Sequence, residues 1–130
     1  ADIIAGFPTE TDAMFENSIR LVEDCGLTFL HVFPYSIRPG TPAAKMPQVN
    51  GADIKARARL LRTAGETRLA GFVNSQVGHT KDVLFETETR GRTPHYLNVE
   101  IAGHTMKPGE IAPVRLVQAA GHDLAGELVL

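Results

Sequence analysis

The chain has 130 residues, 43% of them hydrophobic and 22% charged, with 13 Lys and Arg against 15 Asp and Glu. That balance suits one ordinary domain or two small ones with packed cores, and it excludes a disordered tail; the net charge of −2 exerts no general pull on nucleic acid. No apolar run reaches the ~20 residues that span a bilayer and no signal-peptide pattern opens the chain, so no membrane partner is expected, while the single cysteine, Cys25, excludes an internal disulfide or a multi-cysteine metal site and makes the cytoplasm the expected compartment.

Asp2 to Phe7 is a short apolar run closed by Gly and Pro, which predicts a buried strand. The chain opens inside that strand without an initiator Met, so it reads as a piece of something longer. Thr9 or Thr11 can cap the helix that follows, with Asp12 in its first turn. Phe15, Ile19 and Val22 recur at helical spacing, and Gly26 supplies the stop. Phe29 to Phe33 (FLHVF) predicts a second buried strand, which completes a parallel βαβ unit. Ligands of such units bind at the carboxyl ends of the strands, here Gly6-Phe7-Pro8 and Pro34-Tyr35-Ser36. The second of these ends opens a stiff loop, FPYSIRPGTPA, with Arg38 as its only charge.

A second helix is predicted from Asp53 to Gln76, with Ile54, Ala58, Leu61, Leu69 and Phe72 as its apolar stripe. Gly65 leaves a gap in that stripe; it either weakens the helix or admits another element at close range. Lys55, Arg59 and Arg62 lie on a separate face at i, i+4 and i+7, inside the one segment with a basic excess. Beyond Gly78 the texture becomes short strands, at 81–88, 96–101, 110–118 and 124–130, separated by TRGRTP, AGHTMKPG and AAGHD. Strands at this spacing predict a small all-β barrel or sandwich. Arg90, Arg92 and His95 read as lying in a loop of this β part, in and just after TRGRTP, with Tyr96 close by. His79, His104 and His122 sit in turns without metal-ligand spacing, so no metal site is expected.

DIIAGFPTET, HVFPYSIRPGTPAAKMPQV, KARARLLR and GRTPHYLNVEI lie in chain order between residues 2 and 101. In these motifs the sequence resembles the radical S-adenosylmethionine methylthiotransferases. The resemblance implies an α/β part followed by an all-β part. Residues 1–70 would be the C-terminal part of a partial TIM-like radical barrel, and residues 71–130 an OB-like TRAM β-barrel that binds tRNA. The full-length enzyme would hold S-adenosylmethionine and two 4Fe–4S clusters. It would insert a methylthio group at C2 of the adenosine 3′ of the anticodon, and the HVFPYS wording favours N6-threonylcarbamoyladenosine.

The chain lacks the CxxxCxxC triplet, so neither cluster can be ligated by it alone and no catalytic residue is assigned to it. Thr9 also stands where the family has glycine, and a Thr tolerates positive φ poorly. The resemblance places Ile4, Gly6, Pro8, Tyr35 and Arg38 at the cofactor. The residues themselves leave room for plainer readings, a strand-to-helix turn at Gly6 and a solvated arginine at Arg38. If it acts, Arg38 faces either a tRNA phosphate or the cofactor carboxylate. Lys55, Arg59 and Arg62 are either a wet helix face or an RNA contact. Arg90, Arg92, His95 and Tyr96 suit single-stranded RNA, with a merely solubilising loop as the alternative. A non-enzymatic RNA-binding module is the rival to the enzyme. A truncated barrel would also leave open strands, through which copies of the chain could pair.

Overall fold

The computed structural model describes all 130 residues, in two units, Ala1–Leu69 and Ala70–Leu130. In the first, β1 (Asp2–Ala5) and β2 (His31–Pro34) pair in parallel, with Ile3 opposite Val32 and Ile4 opposite Phe33. Helix α1 (Asp12–Asp24) forms the crossover. Thr11 is its N-cap and accepts from the Met14 amide at 3.2 Å. The helix ends at Gly26, whose φ is +60°, with Leu27 N–H donating to the Val22 carbonyl at 3.0 Å and Gly26 N–H to the Glu23 carbonyl at 3.2 Å. Those two bonds are a Schellman stop, and a glycine reaches its left-handed geometry without strain.

Successive strand residues face opposite ways. Ile3, Ala5 and Val32 therefore turn inward onto Phe15, Val22, Ala58 and Leu61, with Ile19, Leu27 and Leu30 around them. Each fully buried large side chain there contributes roughly 1.5–3 kcal/mol. Ile4 and Phe33 face the other way and are each 52% exposed. The expectation of two strands buried on both faces is thus corrected: one face is covered and the other is open. The second strand also begins at His31 rather than Phe29.

Helix α2 (Gly51–Ser75) runs unbroken through Gly65. A Cβ at Gly65 would lie 2.9 Å from Leu30 Cδ1, so close packing rather than a weakened helix explains the glycine. No helix is long and apolar enough to cross a membrane.

The second unit closes a five-stranded barrel from β3 (Thr80–Phe85), β4 (Arg90–Arg92), β5 (Asn98–Ile101), β6 (Ile111–Ala120) and β7 (Asp123–Leu128), in the order β3-β4-β5-β7-β6. All neighbours are antiparallel except β5 and β7. Val83, Phe85, Val99, Ile101, Val114, Leu116 and Leu124 fill the interior. Arg90 and Arg92 are corrected from loop to strand. Gly91 between them reads as a turn residue in the sequence, but a Cβ there would sit 2.4 Å from the Leu84 carbonyl oxygen. Glycine is what lets β4 lie against β3.

Candidate functional site

At the carboxyl end of β1 the chain makes a tight turn held by one carboxylate. The Gly6 N–H, at φ +77°, donates to Glu10 Oε1 at 3.1 Å. Arg57 of α2 holds the same carboxylate: Nη1 donates to Glu10 Oε1 at 2.9 Å and to the Glu10 carbonyl at 3.0 Å, and Nη2 donates to Asp12 Oδ1 at 2.8 Å. The guanidinium lies 5.7 Å above the Phe15 ring. The Arg57 and Glu10 side chains are only 10% and 11% exposed, whereas Asp12 is 97% exposed. Removing either partner of a buried pair costs about 3–5 kcal/mol, while an exposed partner contributes under about 1 kcal/mol. Glu10 is therefore the partner that matters.

Burial pushes the Arg57 guanidinium down, but the hydrogen bonds and charges of Asp12 and Glu10 outweigh it and hold it above its ordinary value. A raised cation stabilises the fold at every pH below that ordinary value and is lost only in strong base. Sequence reasoning missed Arg57. Its place three residues after Ile54 and four before Leu61 was the available signal, because that spacing puts it on the apolar stripe.

The turn also fixes where the expected cofactor residues point. Pro8 is buried, and the space a Gly6 side chain would take is filled by Ile54 at 2.5 Å. Both residues shape the turn from within. Thr9 keeps a φ of +74°, so the turn survives the loss of glycine there, and its N–H donates to the Pro47 carbonyl at 3.1 Å. Ile4 presents its side chain on the open face of the sheet. The Tyr35 ring meets Phe7 edge-on at 5.6 Å, and its hydroxyl is buried with no hydrogen-bond partner. Arg38 is exposed in the turn capped by Thr41, whose hydroxyl donates to the Arg38 carbonyl at 2.7 Å.

A cavity of about 250 Å³ opens at the carboxyl end of β2, lined by Tyr35 together with Lys55 and Arg62. Arg62 Nη2 donates to the Val32 carbonyl at 3.1 Å. Arg59 does not line the cavity, and neither does Arg38.

On the barrel, a groove of about 520 Å³ crosses β4, β5 and β7. Its two arginines are both paired, Arg92 with Glu86 at 3.1 Å and Arg90 with Glu100 at 3.5 Å, and Asn98 donates to the remaining carboxylate, Asp123, at 3.2 Å. Arg92 also lies 4.2 Å above the ring of Tyr96, an exposed residue with φ +66°. His95 stands apart from the groove, edge-on to Phe72 at 5.4 Å.

The only cysteine is the exposed Cys25, and no group of three His, Cys, Asp or Glu could hold a metal. The chain's residues do not fit an iron–sulfur cluster.

No protein-family model matches the chain. Curated proteins do. It is 44% identical over 117 residues to the threonylcarbamoyladenosine tRNA methylthiotransferase MtaB of Rickettsia prowazekii, covering 90% of this chain and 28% of the relative. It is 38% identical over 135 residues to the tRNA-2-methylthio-N(6)-dimethylallyladenosine synthase of Chromobacterium violaceum, and 35% identical over 133 residues to that of Ruegeria pomeroyi. Each of those two matches covers 98% of this chain and 30% of the relative. The chain spans about 30% of the length of the relatives it matches. With identities at this level across nearly every residue, the chain belongs to the tRNA methylthiotransferase family.

Proposed function

We propose that the chain is the C-terminal segment of a cytoplasmic radical S-adenosylmethionine tRNA methylthiotransferase. Residues 1–70 form the last strands and helices of its catalytic barrel, and residues 71–130 a TRAM-like barrel that contacts tRNA. The observation that carries this reading is the match over 90–98% of the chain to enzymes named for tRNA methylthiolation. A second observation supports it. Parallel sheets are ordinarily covered on both faces, yet β1 and β2 leave Ile4 and Phe33 open, as a strand pair taken from a larger barrel would.

When bound, S-adenosylmethionine would supply the radical that activates an inert ring carbon, with clusters held by parts of the enzyme other than this chain. The chain's own residues have narrower tasks. Ile4 and Tyr35 provide apolar surface at the strand ends. Glu10 and Arg57 hold the Gly6–Glu10 turn rigid, and Gly6 and Pro8 shape it. Arg38, exposed and without an acidic partner, is free to meet a phosphate or a carboxylate. On the barrel, the Arg92–Tyr96 stack offers a base a flat surface, while the groove's ion pairs limit its attraction for phosphate. In the first unit, the helix residues Lys55, Arg59 and Arg62 supply a basic face of their own for RNA.

The proposed substrate is N6-threonylcarbamoyladenosine 3′ of the anticodon. Relatives named for dimethylallyladenosine make that nucleoside the competing one. The test reconstitutes the full-length protein with its clusters and analyses tRNA nucleosides by mass spectrometry. Methylthiolated threonylcarbamoyladenosine is expected. Product on dimethylallyladenosine alone would replace the substrate, and no methylthio product would overturn the enzyme.

A further inference from the structure

The cavity beside Tyr35 joins residues that the sequence places in two separate roles, a strand-end aromatic and a helix face of cations. Its lining carries two cations and no carboxylate: Asp53, in the first turn of α2, is not among the lining residues. Neither Lys55 nor Arg62 forms an ion pair anywhere in the chain. This sets it apart from the barrel groove, where each arginine meets a glutamate.

Arg62 is also held in place. One guanidinium nitrogen is tied to the Val32 carbonyl, which leaves its other N–H groups without a partner in the protein. A fixed guanidinium loses less freedom on taking up an oxyanion than a mobile one. Tyr35 lines the same cavity, and its hydroxyl is buried with no hydrogen-bond partner in the protein. The volume, about 250 Å³, is well above the ~30 Å³ of one water and below the ~300–1,000 Å³ typical of whole-ligand pockets. It suits one charged group of a larger molecule.

We propose that this cavity is an oxyanion site in which Lys55 and Arg62, with Tyr35, hold a phosphate or carboxylate group at the carboxyl end of β2. The site is independent of the enzymatic reading, because the cavity either takes up phosphate or does not, whatever the parent protein catalyses.

The experiment titrates the 130-residue chain with inorganic phosphate and follows backbone amide shifts by NMR. Parallel titrations use free methionine and a trinucleotide RNA. Saturable shifts confined to Tyr35, Gly51, Ile54, Lys55 and Arg62 are expected. Because Arg62 also ties α2 to β2, Lys55→Gln carries the test: Lys55 is exposed and its replacement leaves the packing alone. That variant is expected to weaken phosphate by roughly tenfold, the loss of one charge-assisted contact. Phosphate and RNA acting without methionine would identify a phosphodiester as the ligand, and methionine acting as well would identify a carboxylate. Shifts spread over unrelated basic residues, or a phosphate affinity unchanged in Lys55→Gln, would overturn the site.

Discussion

Thr9 carries a conformation its side chain disfavours. A β-branched residue at φ +74° costs about 1–2 kcal/mol, and the turn persists because the Thr9 N–H is tied to the Pro47 carbonyl and the Gly6 N–H to Glu10. Glycine there would relieve the strain but cost about 0.5–1 kcal/mol in chain entropy. Relief exceeds cost. Thr9→Gly is therefore expected to stabilise the chain by up to about 1 kcal/mol, read as a higher denaturant midpoint at unchanged slope. A lower midpoint would mean that the Thr9 side chain makes a compensating contact. Glu10, the next residue, and Arg57 of α2 are the opposite case, a pair whose burial is offset by good geometry. The turn motif was legible in the sequence and its buried anchor was not. An arginine reads as solvated, and only the position of Arg57 on the apolar stripe argued otherwise.

Packing between elements decides Gly65. Alanine in a helix interior gains about 1 kcal/mol over glycine, but its Cβ would press on Leu30 at Cδ1, Cγ and Cβ, between 2.9 and 3.2 Å away. Overpacking of this kind costs about 1–3 kcal/mol. Gly65→Ala is expected to destabilise the chain, by up to about 2 kcal/mol. In a Leu30→Ala background only the residue-30 Cβ, 3.2 Å away, still stands against it, and the same change is expected to cost at least about 1 kcal/mol less than in the parent chain. Denaturant unfolding of all four proteins checks this, and equal effects in both backgrounds would show that Leu30 is not the obstacle. Both helices could be read from periodicity because each buries one stripe. Strand β4 could not, because three residues that include a glycine give no alternation. Its pairing is set by neighbours remote in sequence: Gly91 lies opposite Phe85 on one side and Val99 on the other.

At the scale of the whole molecule, the question is how copies of this chain behave toward one another. The sheet of the first unit has two strands, so each has an unpaired edge, and Ile4 and Phe33 form an apolar pair on its open face. Both side chains are already half-covered, so burying the remainder is worth about 1 kcal/mol each. Two copies meeting face to face would gain about 4 kcal/mol from these four side chains. That is near the lower bound of the ~4–15 kcal/mol that association costs, so apolar contact alone supports little more than a transient encounter. Pairing along a strand edge lies in the plane of the sheet and does not add to a face-to-face contact, so the expected result is a weak dimer with a Kd no tighter than roughly millimolar. Translational diffusion measured by NMR from about 0.05 to 1 mM should slow with concentration. The double variant Ile4→Lys with Phe33→Lys, its fold checked by circular dichroism, should abolish the slowing. A monomer at every concentration would show that this face does not pair with itself. A tight micromolar dimer insensitive to the two lysines would place the interface elsewhere, because four half-buried side chains cannot supply that affinity.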